Sequence, residues 1–275
     1  MAKHGLVETY RGAVGAWECD AFGHLNVAFY PDRFVAAAAD LLERLHAGMQ
    51  WRTVSLDTRY LVELRASEGV VIRSGLLSRE DTCIRIAHEA LAPSGGRTTL
   101  AEHVLEPEGG TVSSGALVPA DFAWDRFAAA PDPAGEGPIA SGRDRVRDGE
   151  AEAGRLSPAG HVHRFSDACL LAIDAIGMTD AYRRRANRGF ATFETRLTIA
   201  HPAACVGDGI AVTSGIAAIG TSSLRLEHRM RATRDGRVLA RFHQAGVHFD
   251  LAARRSSPWP EELRSKALAL RIVGE

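Results

Sequence analysis

The hydrophobic and polar positions of the chain follow two different periods. Residues 223–232, SLRLEHRMRA, alternate apolar with charged side chains, and residues 57–64 and 193–199 alternate in a similar way. A period of two predicts strands with one buried and one exposed face. Gly95-Gly96 and Asp235-Gly236 lie between such strands and predict hairpin turns, where positive φ angles are needed.

Two alanine-rich stretches instead repeat their apolar residues at helical spacing. The apolar set of the first stretch is Phe34, Ala37, Ala38, Leu41, Leu42 and Leu45, and that of the second is Phe165, Ala168, Cys169, Ala172 and Ile176. Gly48 and Gly177 are predicted stop signals. A helix this apolar needs a sheet wrapped around it. We therefore expect, in each half of the chain, a short strand, one long helix and four antiparallel strands.

An internal repeat connects the two halves. Residues 69–103 align with residues 209–243 at a constant offset of 140 and without a gap. Self-similarity of this kind predicts duplication of a structural unit. The identical pairs are Gly69/Gly209, Ser74/Ser214, Gly75/Gly215, Arg85/Arg225, His88/His228, Ala92/Ala232, Gly96/Gly236, Arg97/Arg237 and His103/His243.

One segment immediately before the first helix carries the candidate chemistry. It reads Asp20-Ala-Phe-Gly23-His24-Leu-Asn26-Val-Ala-Phe-Tyr30. This resembles the signature of hotdog thioesterases of the 4-hydroxybenzoyl-CoA thioesterase type: an Asp, two residues, Gly-His, a hydrophobic residue, an Asn, and a Tyr ten residues after the Asp. Segments 58–72 and 100–107 also resemble strands of that family, and look closest to the thioesterases that act on betainyl-CoA.

The resemblance implies an α+β fold of two fused hotdog domains, each a long central helix wrapped by an antiparallel sheet. Together they would form an intramolecular pseudo-dimer with the active site between its halves. We expect an N-terminal domain over 1–124 with the Asp20 motif and a degenerate C-terminal domain over 157–275. Residues 125–156 are rich in Ala, Pro, Gly and charge without an apolar period, which predicts a surface linker.

Thioester hydrolysis gives the motif a chemical sense. The reaction needs a nucleophile or a base for water, and donors where the carbonyl oxygen becomes negative. An acid just before a helix can act beside the unpaired amides of the first turn. The resemblance implies that the carboxylate of Asp20 either attacks the thioester or activates water, and it leaves the choice open. The predicted catalytic residues are Asp20, His24 and Asn26, and the predicted substrate-binding residues are Gly23, Val27, Tyr30 and Glu102.

Most of these residues also have a purely structural interpretation. Asp20 could cap a turn, Asn26 is a good helix N-cap, and Tyr30 could pack in the core with its hydroxyl group bonded. His24 could bridge loop and strand. Glu102 aligns with Phe242 and so has no acidic counterpart, which makes it a minor active-site candidate.

The second half contains a remnant of the motif. Ser157-Pro-Ala-Gly160-His161-Val-His163 aligns with the segment from Asp20 to Asn26 and places Ser157 at the position of the acid. A serine cannot replace the carboxylate as the same base or nucleophile. The sequence therefore predicts one active site, with the second half contributing a wall of the site and no chemistry.

Composition narrows the function classes. A net charge of -1 argues against a nucleic-acid binder, which needs a basic surface. The sequence contains no apolar run of about 18 residues, so it predicts no membrane span. The N-terminus does not have the pattern of a secretory signal. The four cysteines have no CxxC spacing, so we expect free thiols, no metal and a cytoplasmic protein.

The expected function is hydrolysis of an acyl-CoA thioester to a free acid and CoA, without a cofactor. A homodimer of the fused chain is possible because exposed sheet edges often pair. Two alternatives stay open: an enoyl-CoA hydratase or dehydratase on the same fold, and a non-catalytic acyl-CoA-binding protein.

Overall fold

The fold, taken from a computed structural model, divides into two compact units, Met1–Ala129 and Ala130–Glu275. We call them unit 1 and unit 2. No helix in the described part of the chain is long and apolar enough to span a membrane. The described residues are 5–20, 22–45, 48–109, 124 and 135–272.

Unit 1 packs one long helix against an antiparallel sheet. Its strands follow the order β1-β3-β4-β5-β2. Apolar residues of the helix, including Ala38 and Leu41, form a buried cluster with Ile84 and Ile86 of the sheet, as the helical period predicts. The elements are β1 (Val7–Ala13), α1 (Tyr30–Arg44), β2 (Trp51–Tyr60), β3 (Gly69–Arg79), β4 (Ile84–Leu91) and β5 (Arg97–Pro107).

Unit 2 repeats this arrangement and adds short elements. Its main sheet follows the order β9-β12-β11-β10-β6. Gly177, the predicted stop signal of the long helix, has φ 95° directly after the C-cap Ile176. The elements are β6 (Ile139–Arg145), β7 (Ala151–Glu152), β8 (Arg155–Leu156), α2 (Pro158–Ala175), α3 (Asp180–Ala186), β9 (Arg188–Ile199), β10 (Gly209–Ile219), β11 (Ser223–Ala232), β12 (Val238–Asp250), β13 (Arg255–Ser256) and α4 (Glu261–Ala269).

The predicted surface linker over 125–156 is wrong for residues 139–156. Strand β6 pairs with β10, and β7 and β8 form a small hairpin. Strand β6 lies at the edge of the sheet and most of its side chains are exposed. An edge strand can be polar, which is why Ser-Gly-Arg-Asp-Arg showed no apolar period. Residues 125–134 lie outside the described part of the chain.

The gap-free repeat holds through strand β4 and then shifts by one residue. In unit 1 the turn after β4 closes with the N–H of Ala92 donating to Gly96, and in unit 2 the N–H of Ala232 donates to Arg237. The turn in unit 2 is therefore one residue longer. The strand register agrees with this. Glu102 pairs with Ala87, and His243 pairs with Glu227, which is the residue of unit 2 equivalent to Ala87. His243 therefore corresponds in the fold to Glu102, and its identity with His103 does not reflect an equivalent position.

A buried chain of hydroxyl groups and imidazole recurs in both units. In unit 1 the hydroxyl of Thr9 lies 2.6 Å from that of Ser74, which lies 2.7 Å from Nδ1 of His88. In unit 2 Ser214 and Nδ1 of His228 are 2.6 Å apart. Both imidazoles are fully buried, and burial lowers the pKa of each. The recurrence in both units supports a structural role for this hydrogen-bonded chain.

Candidate active site

The segment from Asp20 to His24, which we call the Asp20 loop, is a tight turn in which the Asp20 carboxylate accepts two main-chain hydrogen bonds. The N–H of Asp20 donates to the carbonyl of His24 over 2.8 Å, and the N–H of Gly23 donates to the carbonyl of Asp20 over 3.0 Å. Oδ1 of Asp20 accepts from the N–H groups of Phe22 (2.8 Å) and His24 (3.1 Å). Gly23 has φ 76°, which glycine adopts without strain. The turn fixes one carboxylate oxygen while the Asp20 side chain remains exposed.

The His24 side chain contacts the carboxylate of a residue that the motif does not contain. Its Nε2 lies 3.2 Å from Oε2 of Glu63, and the His24 side chain is mostly buried. The two segments also join through a β-bridge between His24 and Arg65 and through the N–H of Leu25, which donates to Leu64 over 2.7 Å. The fold therefore brings Glu63, which follows the C-terminal end of β2, to the Asp20 loop.

Asn26 and Val27 form the start of the helix. Oδ1 of Asn26 accepts from the N–H of Ala28 over 3.0 Å, so Asn26 is the N-cap of the 3-10 turn Val27–Phe29 that leads into α1. Val27 is the first residue of that turn, and the N–H at this position has no intrahelical partner. Asn26 thus acts on the helix, and Val27 offers a main-chain donor at the positive end of the helix dipole.

Tyr30 is a core residue in this structure. Its side chain is buried, its ring packs edge-on against Tyr60 at 5.1 Å, and it stacks on Phe34 at 6.3 Å between ring centroids. Burial raises the pKa of the Tyr30 phenol to about 12. The phenol is therefore uncharged at neutral pH and packs against Tyr60 and Phe34.

Glu102 has its recorded partners away from the Asp20 loop. Its carboxylate is buried and accepts from the indole N–H of Trp124 over 2.9 Å and from the guanidinium of Arg85 over 3.2 Å. Neighbouring strand residues point to opposite faces of a sheet, and the neighbour His103 contacts His88, which in turn packs against Phe34 of α1. Glu102 therefore lies on the face of the sheet that is turned away from α1.

A buried ion pair anchors the segment before the loop to the helix. Nη2 of Arg33 donates to both carboxylate oxygens of Glu18 over 2.9 and 2.8 Å, and Nη1 donates to the carbonyl of Phe29 over 2.7 Å. Glu18 also accepts from the N–H of Gly15. Since the Arg33 side chain is only 7% exposed, this contact fixes the chain just ahead of Asp20.

Unit 2 builds the same local frame, which corrects the alignment of Ser157 with Asp20. Arg164 of α2 bonds to Glu150 over 2.8 Å, as Arg33 bonds to Glu18. The N–H of Ser157 donates to the carbonyl of Glu150, as that of Asn26 donates to Glu18. Ser157 caps the helix, its hydroxyl accepting from Gly160. Ser157 therefore stands at the position of Asn26.

The short hairpin β7–β8 takes the place of the Asp20 loop in unit 2. The bridge between Arg155 and Cys205 corresponds to that between His24 and Arg65. Glu152 then stands where unit 1 has Asp20, so unit 2 does retain an acid. The hairpin is one residue shorter, because its turn is only Ala153-Gly154. The prediction that unit 2 lacks the acid is wrong, since a one-residue deletion hid the true alignment.

Two other positions distinguish the units. Pro158 begins α2 where unit 1 has Val27, and a proline has no N–H to donate. The N–H of Leu156 donates to the carbonyl of Ala204, which therefore corresponds to Leu64. The residue before Ala204 is Ala203, whereas the residue before Leu64 is Glu63. Unit 2 therefore has neither the main-chain donor nor the acid that contacts the imidazole in unit 1.

Comparison with known proteins establishes the fold and shows a family resemblance in unit 2. Residues 146–267, which lie in unit 2, match the sequence profile of the thioesterase-like superfamily. No curated protein matches the sequence of this chain.

Three solved structures are similar over nearly the whole chain. An acyl-ACP thioesterase from Bacteroides thetaiotaomicron has 9% identity, covers 87% of this chain and 96% of its own, and gives a TM-score of 0.65. A candidate oleoyl thioesterase from Lactobacillus plantarum has 11% identity, 90% and 98% coverage, and a TM-score of 0.67. A 12:0-ACP thioesterase from Umbellularia californica has 9% identity, 89% and 95% coverage, and a TM-score of 0.59. At these identities the likeness establishes the fold, which is the hotdog fold of thioesterases, and residues 146–267 resemble the thioesterase-like superfamily.

Proposed function

We propose that this protein hydrolyses an acyl-CoA thioester to a free acid and CoA, at one site in unit 1. The observation that carries the proposal is the Asp20 loop, in which two main-chain N–H groups hold one carboxylate oxygen at the start of α1. The match of residues 146–267 to the thioesterase-like superfamily supports the same reaction. That the acyl group is betainyl, as the sequence resemblance implies, stays a prediction.

Asp20 supplies the negative charge that the reaction needs. Its carboxylate either attacks the thioester carbon, forming an acyl-aspartyl anhydride and releasing the CoA thiolate, or removes a proton from the water that attacks. In the first case water then hydrolyses the anhydride and restores the carboxylate. Anchoring Oδ1 in the turn fixes the orientation of Oδ2, and orientation of a reacting group lowers the barrier. The N–H of Val27 is the donor we assign to the developing oxyanion.

His24 and Glu63 act as a pair beside the acid. Contact with the Glu63 carboxylate holds the imidazole in one orientation and fixes which ring nitrogen carries the proton. We assign His24 to a hydrogen bond with the substrate and Glu63 to positioning His24. Asn26 organises the helix start, and Gly23 allows close approach of the substrate to the main chain.

Unit 2 contributes no second reaction in this proposal. It has Glu152 at the position of the acid, but Arg155 replaces His24, and Pro158 removes the donor that Val27 provides. We infer that the two units arose by duplication of one hotdog domain and that the second then lost its chemistry. The pairing of the units as a pseudo-dimer and a cytoplasmic location stay predictions.

A thiol-release assay on the purified protein tests the proposed reaction. The protein is mixed with short, branched, aromatic, medium-chain and betainyl CoA thioesters, and free thiol is followed with a thiol reagent. Acyl-ACP substrates are included as a second carrier. Thiol release from acyl-CoA supports the proposal. Loss of enoyl-CoA absorbance without thiol release indicates a hydratase, and tight binding without turnover indicates a sensor.

A further inference from the structure

Large apolar side chains are exposed around the Asp20 loop. Trp17 is 83% exposed, Phe22 49%, Leu61 46% and Val62 58%. A single exposed apolar residue is ordinary on a protein surface, but a group of them beside one site marks a binding surface. We call these four residues the apolar rim.

Main-chain contacts place the members of the rim beside the acid. Trp17 precedes Asp20 by three residues in the 3-10 turn Ala16–Glu18. Phe22 lies inside the loop, and its N–H donates to Asp20 over 2.8 Å. The rim and the carboxylate therefore share one short segment of chain.

The other two members come from the segment that carries Glu63. Leu61 and Val62 follow β2, and the N–H groups of both donate to the carbonyl of Thr98. Glu63 then turns back to contact His24 over 3.2 Å. The end of β2 therefore brings two exposed apolar side chains to the same end of unit 1 as the Asp20 loop.

Unit 2 serves as an internal control for the rim. Gly149 stands where unit 1 has Trp17, and the one-residue deletion in the β7–β8 hairpin removes the counterpart of Phe22. The N–H of Ala200 donates to Leu239, as that of Leu61 donates to Thr98. Unit 2 therefore has the four residues Ala-His-Pro-Ala, 200–203, where unit 1 has the three residues Leu61, Val62 and Glu63. Unit 2 has one exposed apolar side chain at this hairpin, Val206, whose N–H donates to Gly154. The full set of four, with its two aromatic side chains, therefore occurs only in the unit that has the proposed catalytic residues, and this difference supports a role in substrate binding.

We propose that the apolar rim binds the acyl group of the substrate and makes the enzyme selective for apolar acyl chains over small or cationic ones. The inference rests on the proposed function and adds the substrate class to it. The four side chains are uncharged and gain by covering apolar surface. A quaternary ammonium acyl group such as betainyl would instead need an enclosing aromatic cage to compensate its desolvation, and Trp17 and Phe22, at 83% and 49% exposure, do not enclose a cation.

A series of straight-chain CoA thioesters from acetyl to decanoyl tests this inference on the full chain. We expect kcat/KM to rise by about twofold to fourfold per added methylene, since burial of one CH₂ group contributes at most about a fourfold gain. Betainyl-CoA is compared with its uncharged isostere, 3,3-dimethylbutanoyl-CoA, and we expect the uncharged substrate to be preferred.

The double variant Trp17→Ala/Phe22→Ala then tests whether these two residues cause the dependence of kcat/KM on acyl chain length. We expect the ratio of kcat/KM for octanoyl-CoA to that for acetyl-CoA to fall by at least about tenfold. The matched control is Leu170→Ala/Leu171→Ala, which removes two exposed leucines from α2 of unit 2 and should leave the ratio unchanged. Circular dichroism confirms that both variants are folded.

The outcomes separate this inference from the proposed function. A wild-type enzyme that hydrolyses thioesters without chain-length dependence, or that prefers betainyl-CoA to its isostere, overturns the inference and leaves the hydrolase intact. An unchanged octanoyl-to-acetyl ratio in the Trp17→Ala/Phe22→Ala variant also overturns it. Absence of thiol release from every substrate contradicts the proposed function itself.

Discussion

Nε2 of His24 lies 3.2 Å from Oε2 of Glu63, across two segments that are 39 residues apart in the sequence. The main-chain bond from Leu25 to Leu64 holds these segments together. His24 in turn donates its main-chain N–H to the carboxylate of Asp20. One turn of chain therefore connects the proposed nucleophile or base with an imidazole whose orientation depends on a distant acid.

Glu63→Gln should lower kcat by about 10-fold to 100-fold, the range known for groups that orient metal-bound histidines, because the neutral amide holds the His24 ring less firmly than the carboxylate. The thermal midpoint should change little, since Glu63 is partly exposed. Steady-state thiol release and a thermal melt measure the two quantities. Glu43→Gln, an exposed acid on α1, is the control. A Glu63→Gln enzyme with wild-type kcat at all pH values would remove Glu63 from the mechanism.

Arg33→Met and Arg164→Met form a matched pair. Each removes the arginine of an ion pair with Glu18 or Glu150, and the Arg33 pair is the more buried of the two. Loss of one partner of a buried pair typically costs about 3–5 kcal/mol, so urea unfolding should show Arg33→Met destabilised by about this much and Arg164→Met by less. Only Arg33→Met should also reduce kcat/KM of the folded protein, because only Glu18 leads into the Asp20 loop. Equal losses of activity in both variants would argue against a site confined to unit 1.

Four histidines that are fully buried in the described part of the chain predict acid lability. Burial lowers the pKa of His103 to about 3, of His161 to about 4 and of His228 to about 3, and it lowers that of His88 as well. In the unfolded chain these imidazoles bind protons below about pH 6.5, whereas in the folded protein they remain neutral. Stability is therefore complete above pH 6.5 and falls as the pH decreases toward the folded pKa values, by about 1.4 kcal/mol per pH unit for each histidine.

The measurement for this prediction is urea unfolding at pH 7 and pH 5. His103→Gln should reduce the difference in unfolding free energy between the two pH values by about 2 kcal/mol, because one proton fewer is taken up on unfolding. The control is His201→Gln, which replaces an exposed histidine. An unfolding free energy that does not change between pH 7 and pH 5 in the wild-type protein would contradict the account.

The regular elements were predictable because their patterns depend on burial of one face. The periods of two and 3.6 residues located the two long helices and the main strands, and Gly95 and Gly236 have the positive φ angles expected of their turns. Strand β6 was missed because an edge strand with an exposed face does not need alternating apolar residues. The Asp20 motif was found because it is short, local and contiguous.

The correspondence between residues of the two units was not predictable from a linear comparison of their sequences. A deletion of one residue in the loop moved Glu152 out of alignment with Asp20, and an insertion of one residue in the hairpin turn moved His243 out of alignment with Glu102. Equivalent hydrogen bonds, such as those of Arg33 and Arg164, restore the correspondence. Glu63 was missed because it belongs to no local motif and reaches His24 only through the fold.

The central claim is that the carboxylate of Asp20, and not its counterpart in unit 2, carries out the hydrolysis. The most direct test is thiol release from the preferred acyl-CoA by Asp20→Asn and Glu152→Gln, with folding checked by circular dichroism. We predict that Asp20→Asn loses at least about 1,000-fold in kcat, as expected when an essential acid–base or nucleophilic group is removed, while Glu152→Gln remains within about twofold of wild type. Full activity in folded Asp20→Asn, or an equal loss in Glu152→Gln, would contradict the claim.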